Sequence, residues 1–270
     1  MTLDDIFTRI NYTAEISYLT NTFIYEYDIH KANISVLYSK GIINKEWYDK
    51  LYGAERMRRQ VFVGKLLRAR PDLVPILQQG ILEAKCVFAE LNGLNQSDVL
   101  AIKNDALFLI DKQPQKTQFG LIQFVCKNVY TGFYRLQNLE LYYYANAMTQ
   151  QENLEIKGIS DELIVVHKEY FYQFLKDLFY TVQFNGIEIA LRLMKSFYMQ
   201  YVSLSLPIGY YRRFDSESMY HLKIHTSTGS GYSINSLLDS DKPLVDISYN
   251  RHLLMELQKI LTNIYFMKYK

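Results

Sequence analysis

The stretch 23–37, FIYEYDIHKANISVL, constrains the fold more than any other part of the chain. Phe23, Ile24, Tyr25 and Tyr27 favour a strand, and the run stops at Asp28 before the pattern turns helical. Asp28 is thereby placed at the carboxyl end of a strand, where the sites of open α/β sheets gather. A second stretch, VLAIKNDALFLI at 99–110, is apolar on both sides of Lys103, Asn104 and Asp105. It reads as a β-hairpin with Asn104 and Asp105 at the turn, holding up a second fixed carboxylate. Two lone acids on neighbouring strand ends point to a divalent-metal site. Both also have ordinary uses, because an Asp after a strand caps helices and Asn-Asp between apolar runs makes hairpin turns.

The remaining sequence is read in order around these two acids. Residues 1 to 20 fit either a helical stripe or an edge of the sheet. Asn44 is a cap for a long helical pattern interrupted near Gly53, which carries Arg56, Arg58, Arg59, Lys65, Arg68 and Arg70. Such a cation density reads as a phosphate-facing surface or as a solvated basic face. Pro71 and Pro75 close that segment. An amphipathic helix then spans Ile76 to Leu91, with Leu77, Ile81, Leu82, Val87 and Phe88 turned to the sheet. After the hairpin, 121–125, 129–136, 138–144 and 154–158 read as strands. Residues 161–205 carry two helices joined near Asn185-Gly186, and a domain boundary falls close to Gly158. An irregular loop occupies 206–240, including a Ser/Thr/Gly tract at 226–233, and a final helix runs from about Arg251 to Met267.

Composition excludes several classes. A hydrophobic fraction of 49% with 21% charged residues fits a folded protein, and a net charge of +2 gives no global field for nucleic acid, leaving local patches to do that work. Cys86 and Cys126 match no zinc spacing, and both read as core residues in a reducing cytoplasm. No run approaches the roughly 18 to 20 apolar residues of a membrane span.

In order along the chain, these segments resemble the palm core of family B DNA polymerases, including the protein-primed viral ones. The family's first motif is D-x-x-S-L-Y-P-S-I, and here Asp28, Ser35 and Val36 match it, while Asn33 and Ile34 replace its tyrosine and proline. The third motif, D-T-D-S between apolar strands, aligns with Lys103-Asn104-Asp105-Ala106, so Asp105 is kept and Lys103 replaces the other acid. The fingers motif K-x-x-x-N-S-x-Y-G is absent, although Arg58, Arg59 and Lys65 occupy its region. Lys157-Gly158 looks like the Lys-Gly turn that follows the palm.

The resemblance implies an α+β fold in which an antiparallel polymerase-like palm sheet carries inserted helical fingers and a mainly helical C-terminal thumb. It divides the chain into a palm opening (1–40), basic fingers (41–75), palm helix and sheet (76–160) and thumb (161–270). It also implies two-metal nucleotidyl transfer, with Mg2+ or Mn2+ held by Asp28 and Asp105. Asn33, Arg58, Arg59 and Lys65 would face the nucleoside triphosphate, and Lys157 would contact nucleic acid. The tract YYRRF, with Arg212 and Arg213 among aromatics, reads in its own right as a clamp on single-stranded nucleic acid or as a thumb surface packing on itself. The tyrosine that Asn33 replaces blocks the sugar 2′-hydroxyl in that family, so weaker discrimination against ribonucleotides is expected. No exonuclease domain is read in the chain, and a partner protein subunit is expected. The setting is the cytoplasm, that of the host cell for a viral protein. Lys103 in place of an acid keeps a second reading open, a catalytically silent palm-like subunit that binds nucleic acid or organises a viral replication or transcription complex. A metal-dependent nuclease would need a further acid, and Glu26, on the same strand face as Asp28, is the obvious recruit.

Overall fold

The computed structural model describes residues 3–136, 139–158, 170–207, 212–213, 245–246 and 248–268. They form two compact units, Met1–Gly132 and Phe133–Lys270, of an α+β protein.

The first unit opens with α1 (Leu3–Phe7) and β1 (Asn11–Thr13), followed by the long strand β2 (Tyr18–Ile29). Four helices come next: α2 (Ala32–Ser39), α3 (Lys45–Tyr52), α4 (Arg56–Ala69) and α5 (Leu73–Leu91). The hairpin follows as β3 (Val99–Lys103) and β4 (Ala106–Ile110), then β5 (Gln118–Phe119) and β6 (Ile122–Leu136), which continues into the second unit. The strand order is β1-β3-β4-β2-β6, with β5 also on β6. β2 is therefore internal, flanked by the hairpin on one side and β6 on the other. It pairs antiparallel with β4 in a register that sets Asp28 opposite Ala106.

Period-two alternation sorts β2. Tyr27 and Ile29 join a buried cluster with Val36 of α2, Leu77 and Phe88 of α5, and Leu107 and Leu109 of β4. Glu26 and Asp28 face the other way. The hairpin forms where local chemistry demands it. Asn104 adopts φ 54°, a left-handed conformation that asparagine tolerates, and its N–H donates to the Ile10 carbonyl at 2.9 Å.

Helix starts follow their caps. Asn44 Oδ1 accepts from Trp47 N–H at 3.0 Å, and α3 ends before Gly53 as the sequence indicates. α5 begins at Leu73 and not after Pro75. Pro75 sits in the first turn, where a missing N–H costs nothing, so it belongs to the helix instead of stopping the one before. The buried face of α5 also differs from the expected one. Leu77, Ala84, Lys85 and Phe88 are inside, while Val87 is exposed. Cys126 is exposed on β6 rather than in the core, and Cys86 is half-buried.

In the second unit the end of β6 is followed by β7 (Leu139–Asn146) and β8 (Gln151–Lys157), the latter two pairing antiparallel from Glu140 opposite Lys157 to Asn146 opposite Gln151. Helices α6 (Tyr170–Tyr180) and α7 (Ile187–Val202) are joined by a π turn, Thr181–Asn185, and Gly186 at φ 96° supplies the break. Phe174 stacks on Phe197 at 3.5 Å, locking α6 to α7. Short strands β9 (Arg212–Arg213) and β10 (Val245–Asp246) pair antiparallel, and α8 (Ser248–Lys268) follows. The irregular loop expected over 206–240, with its tract at 226–233, lies almost wholly outside the described residues. No described helix is long and apolar enough to cross a membrane.

Candidate functional site

Both acids singled out in the sequence reach one cavity of the first unit, of about 610 Å³. Asp28 closes the regular part of β2, and the Ile29 N–H then donates to the Asp105 carbonyl at 3.4 Å, drawing the strand end against the hairpin turn. Asp105 lies in the turn itself, outside the pleat, so strand alternation does not send its side chain away from Asp28. Both line the cavity, and the Asp105 charge is among the causes that raise the Asp28 pKa.

The chain leaves Asp28 through a tight strand-to-helix turn. Lys31 takes a left-handed φ of 51° ahead of α2, and the buried Ser35 hydroxyl reaches back to the His30 carbonyl at 3.1 Å. This turn brings Asn33 to the cavity in the first turn of α2, while Lys31 itself caps the helix. The Lys31 ammonium donates to the Tyr52 carbonyl at 2.5 Å and lies 3.5 Å above the Tyr52 ring, tying the turn to the end of α3.

The same cavity lining carries cations, Lys31 and Lys127 among them. Arg56 and Arg59 of α4 line the cavity, with Gln60, Gln78 and apolar residues of α4 and α5. Arg59 also donates to the Ala54 carbonyl, which anchors it at the start of its helix. Cations crowd here: burial, then Arg59, pulls the Lys31 pKa below its usual value, and burial, then Lys31 and Arg59, does the same to His30. A wall that disfavours further positive charge is one that favours an anion.

On the acid side a third carboxylate stands behind Asp28. Glu26 is 1% exposed and accepts from Asn128 Nδ2 at 2.6 Å and from the Tyr130 hydroxyl at 2.9 Å, both on β6. Lys127, next to them on the same strand, sets its ammonium 3.3 Å from Asp28 Oδ2 and 3.7 Å from Glu26 Oε1. Burial raises the Asp28 pKa above the ordinary aspartate value; Lys127 lowers it, and Glu26 and Asp105 raise it further. Among the described residues no group of three or more His, Cys, Asp or Glu gathers into a metal-binding cluster.

Of the other residues singled out in the sequence, Arg58 and Lys65 are exposed on α4 and do not line the cavity. Lys103 does not line it either; its amine donates to Thr13 Oγ1 on β1 at 2.8 Å. Lys157 ends β8 in the second unit, 3.3 Å from Glu155 and 5.3 Å above the Tyr142 ring. Arg212 and Arg213 form β9, and their side chains lie outside the described residues.

Lys127 and Lys85 were not singled out. Lys127 reaches Asp28 only through the adjacency of β2 and β6, which no local pattern carries. Lys85 is fully buried beneath the hairpin turn, its ammonium 2.9 Å from the Asn104 carbonyl and 3.4 Å from that of Arg9. Its position on the helical stripe of Leu77, Ala84 and Phe88 was a signal that a helical wheel would have caught.

These features define an α+β protein whose first unit opens a cavity lined by two carboxylates, Asp28 and Asp105, together with Arg56, Arg59, Lys31 and Lys127. The chain belongs to the Bacteriophage PBS1 gene 130 protein family, whose model matches residues 1–263. The expectation of a viral protein is met at that level. No curated protein matches the chain.

Proposed function

We propose that the first unit transfers nucleotidyl groups from a nucleoside triphosphate to a nucleic-acid 3′-hydroxyl, as a minimal polymerase-like palm. The observation that carries this reading is that Asp28 and Asp105 meet Arg56 and Arg59 in the lining of one cavity. Phosphoryl transfer asks a protein chiefly for positioning and charge neutralisation, and a cavity that brings carboxylates and guanidinium groups together supplies both kinds of group. Asp28 and Asp105 would hold Mg2+ or Mn2+. The donor set supports this, since Mg2+ takes one or two protein carboxylates and fills its other positions with water and substrate phosphate. When bound, the ion supplies the charge that activates the attacking hydroxyl and offsets that of the leaving pyrophosphate.

The chain's own residues do the remainder. Arg59, anchored through Ala54, and Arg56 would neutralise the triphosphate, while Asn33 would sit beside the sugar. The order of elements, from β2 through α2, the basic helices and α5 to the hairpin, supports the palm-and-fingers resemblance. A second reading is favoured by Lys127, whose ammonium already bridges Asp28 and Glu26, and by the position of Lys103 where the resembled motif has an acid. In that reading the unit binds nucleotide or nucleic acid without turnover, as a subunit of a phage replication or transcription complex.

Primer extension with Mg2+ or Mn2+ separates them. The first reading predicts extension by the natural chain and a loss of at least about a hundredfold in both Asp28→Ala and Asp105→Ala. Extension unchanged in both variants would refute the site. Inactivity of all three, with nucleotide binding retained, is the outcome of the silent reading.

A further inference from the structure

We infer that the outer face of α3 and α4 is a platform for single-stranded nucleic acid, with phosphates on Arg58 and Lys65 and a base on Trp47. Both readings of the cavity give the chain a nucleic-acid partner, and the platform rests on that partner alone, needing neither metal nor turnover.

Helix α4 carries Arg56, Arg58, Arg59, Lys65 and Arg68, and no Asp or Glu falls between 56 and 71. Among the described residues none of these five cations meets a carboxylate, whereas Arg70, just past the helix, is paired with Asp72 at 2.7 Å. The neighbouring helix does not balance them. Over 45–70 as a whole, eight cations stand against three acids, Glu46, Asp49 and Glu55, and Asp49 is already tied to Lys45 at 2.6 Å. Arg56 with Arg59 and Lys65 with Arg68 are like charges three apart, which repel along a helix and are relieved by a polyanion.

The helix divides its cations between two faces. Arg56 and Arg59 line the cavity with Gln60, Val63 and Leu67, whereas Arg58 and Lys65 are exposed and stand with Phe62 at i, i+4 and i+7 on another face. Phe62 thus has a cation one turn before it and another one turn after. Trp47 of α3 stacks on Phe62 at 5.3 Å, and its indole is still 44% exposed. A cationic face alone fits any polyanion. An exposed indole, backed by a second ring and set among cations, fits bases that are free to stack, and a duplex keeps its bases paired and stacked within itself. The Lys50 ammonium lies 5.1 Å over the Trp47 ring; Lys50 is exposed, so this ammonium yields the ring to a base and turns to the adjoining phosphate.

The test is a titration of the whole chain, in EDTA and at several salt concentrations, with labelled oligothymidylate about 12 nucleotides long. Anisotropy of the label reads affinity, and quenching of Trp47, the chain's one tryptophan, reads stacking. The natural chain should bind with its tryptophan quenched. Arg58→Gln combined with Lys65→Gln should weaken binding and flatten the slope of log K against log salt by about 1.4, the share of two phosphates of a single strand. Trp47→Ala should weaken binding about 5- to 150-fold at one salt concentration with the slope unchanged, and Trp47→Phe should recover most of that loss. Quenching in the natural chain and the two exposed charge substitutions decide the matter should the alanine variant not fold. No binding, binding without quenching, a slope untouched by the double variant, or tighter binding of a duplex of the same length would each overturn the platform. Polyglutamate that competes as well as the oligonucleotide at equal charge would overturn it too, and would give the face to an acidic protein. None of these outcomes bears on Asp28 and Asp105, whose role stands or falls on primer extension.

Discussion

Replacing Lys85 by methionine should erase a pH dependence of stability while changing stability at neutral pH very little. Burial pulls the Lys85 pKa from 10.5 down to about 8, against upward pulls from Cys86 and Asp105. That gap, at about 1.4 kcal/mol for each pH unit, makes the folded protein roughly 3 kcal/mol less tolerant of the protonated amine than the unfolded chain is. Because the folded value is the lower one, the whole penalty is present below about pH 8. It is relieved between about pH 8 and 10.5, where the unfolded chain still holds a proton that the folded one has released. Methionine removes the penalty but also removes the part-buried hydrogen bonds to the Asn104 and Arg9 carbonyls, at about 0.5–1.5 kcal/mol each. The opposing changes nearly cancel at pH 7, to within about 2 kcal/mol.

From pH 7 to about 10, however, the natural chain should gain roughly 2–3 kcal/mol relative to the variant. The assay is urea unfolding at a series of pH values, followed by fluorescence of the chain's one tryptophan, Trp47, which stacks on Phe62 in the same unit as Lys85. Taking the difference between the two proteins cancels the tyrosine ionisations that they share. A difference constant to within about 0.5 kcal/mol across the series would show that Lys85 does not carry its proton in the way described.

Two further outcomes follow from the turn and helices around Asp28. A Cβ at Gly80 on α5 would overlap Val36 Cγ1 on α2 outright, so Gly80→Ala should cost about 1–3 kcal/mol in urea unfolding. Adding Val36→Ala should recover part of that loss, and a fully additive double variant would refute the contact. Asn33 sits at the cavity on the first turn of α2, so a protein active in primer extension should accept ribo- and deoxyribonucleotides within about tenfold of each other, and Asn33→Tyr should shift it toward deoxyribonucleotides. Equal exclusion of ribonucleotides by both proteins would remove Asn33 from that role.

What could be read from the sequence is what short-range chemistry decides. The strand ending at Asp28, the hairpin presenting Asp105 and the Asn44 cap each depend on a handful of consecutive residues, and the structure has all three. Period-two alternation also put Glu26 on the Asp28 face, where Lys127 meets both. Residues whose setting depends on distant partners were not legible. Lys127 becomes a neighbour of Asp28 only once β6 lies beside β2, about a hundred positions along the chain, a separation no local pattern encodes. Lys85 meets the carbonyls of Asn104 and Arg9 only once segments distant in sequence come together over it. Val87 and Cys126 were expected inside because they are apolar, yet each falls on an exposed side of its element, and position on the element outweighs residue type. Pro75 reads in the sequence as a helix stop, yet a proline in a first turn breaks nothing.

The central proposal is that Asp28 and Asp105 jointly hold a divalent ion in the cavity that Arg56 and Arg59 also line. Crystals soaked in Mn2+ and measured for anomalous scattering test it most directly. The expected result is one strong peak between the two carboxylates, inside the cavity they line and absent from Asp28→Ala crystals. A peak elsewhere in the first unit, or one that survives loss of Asp28, would contradict it.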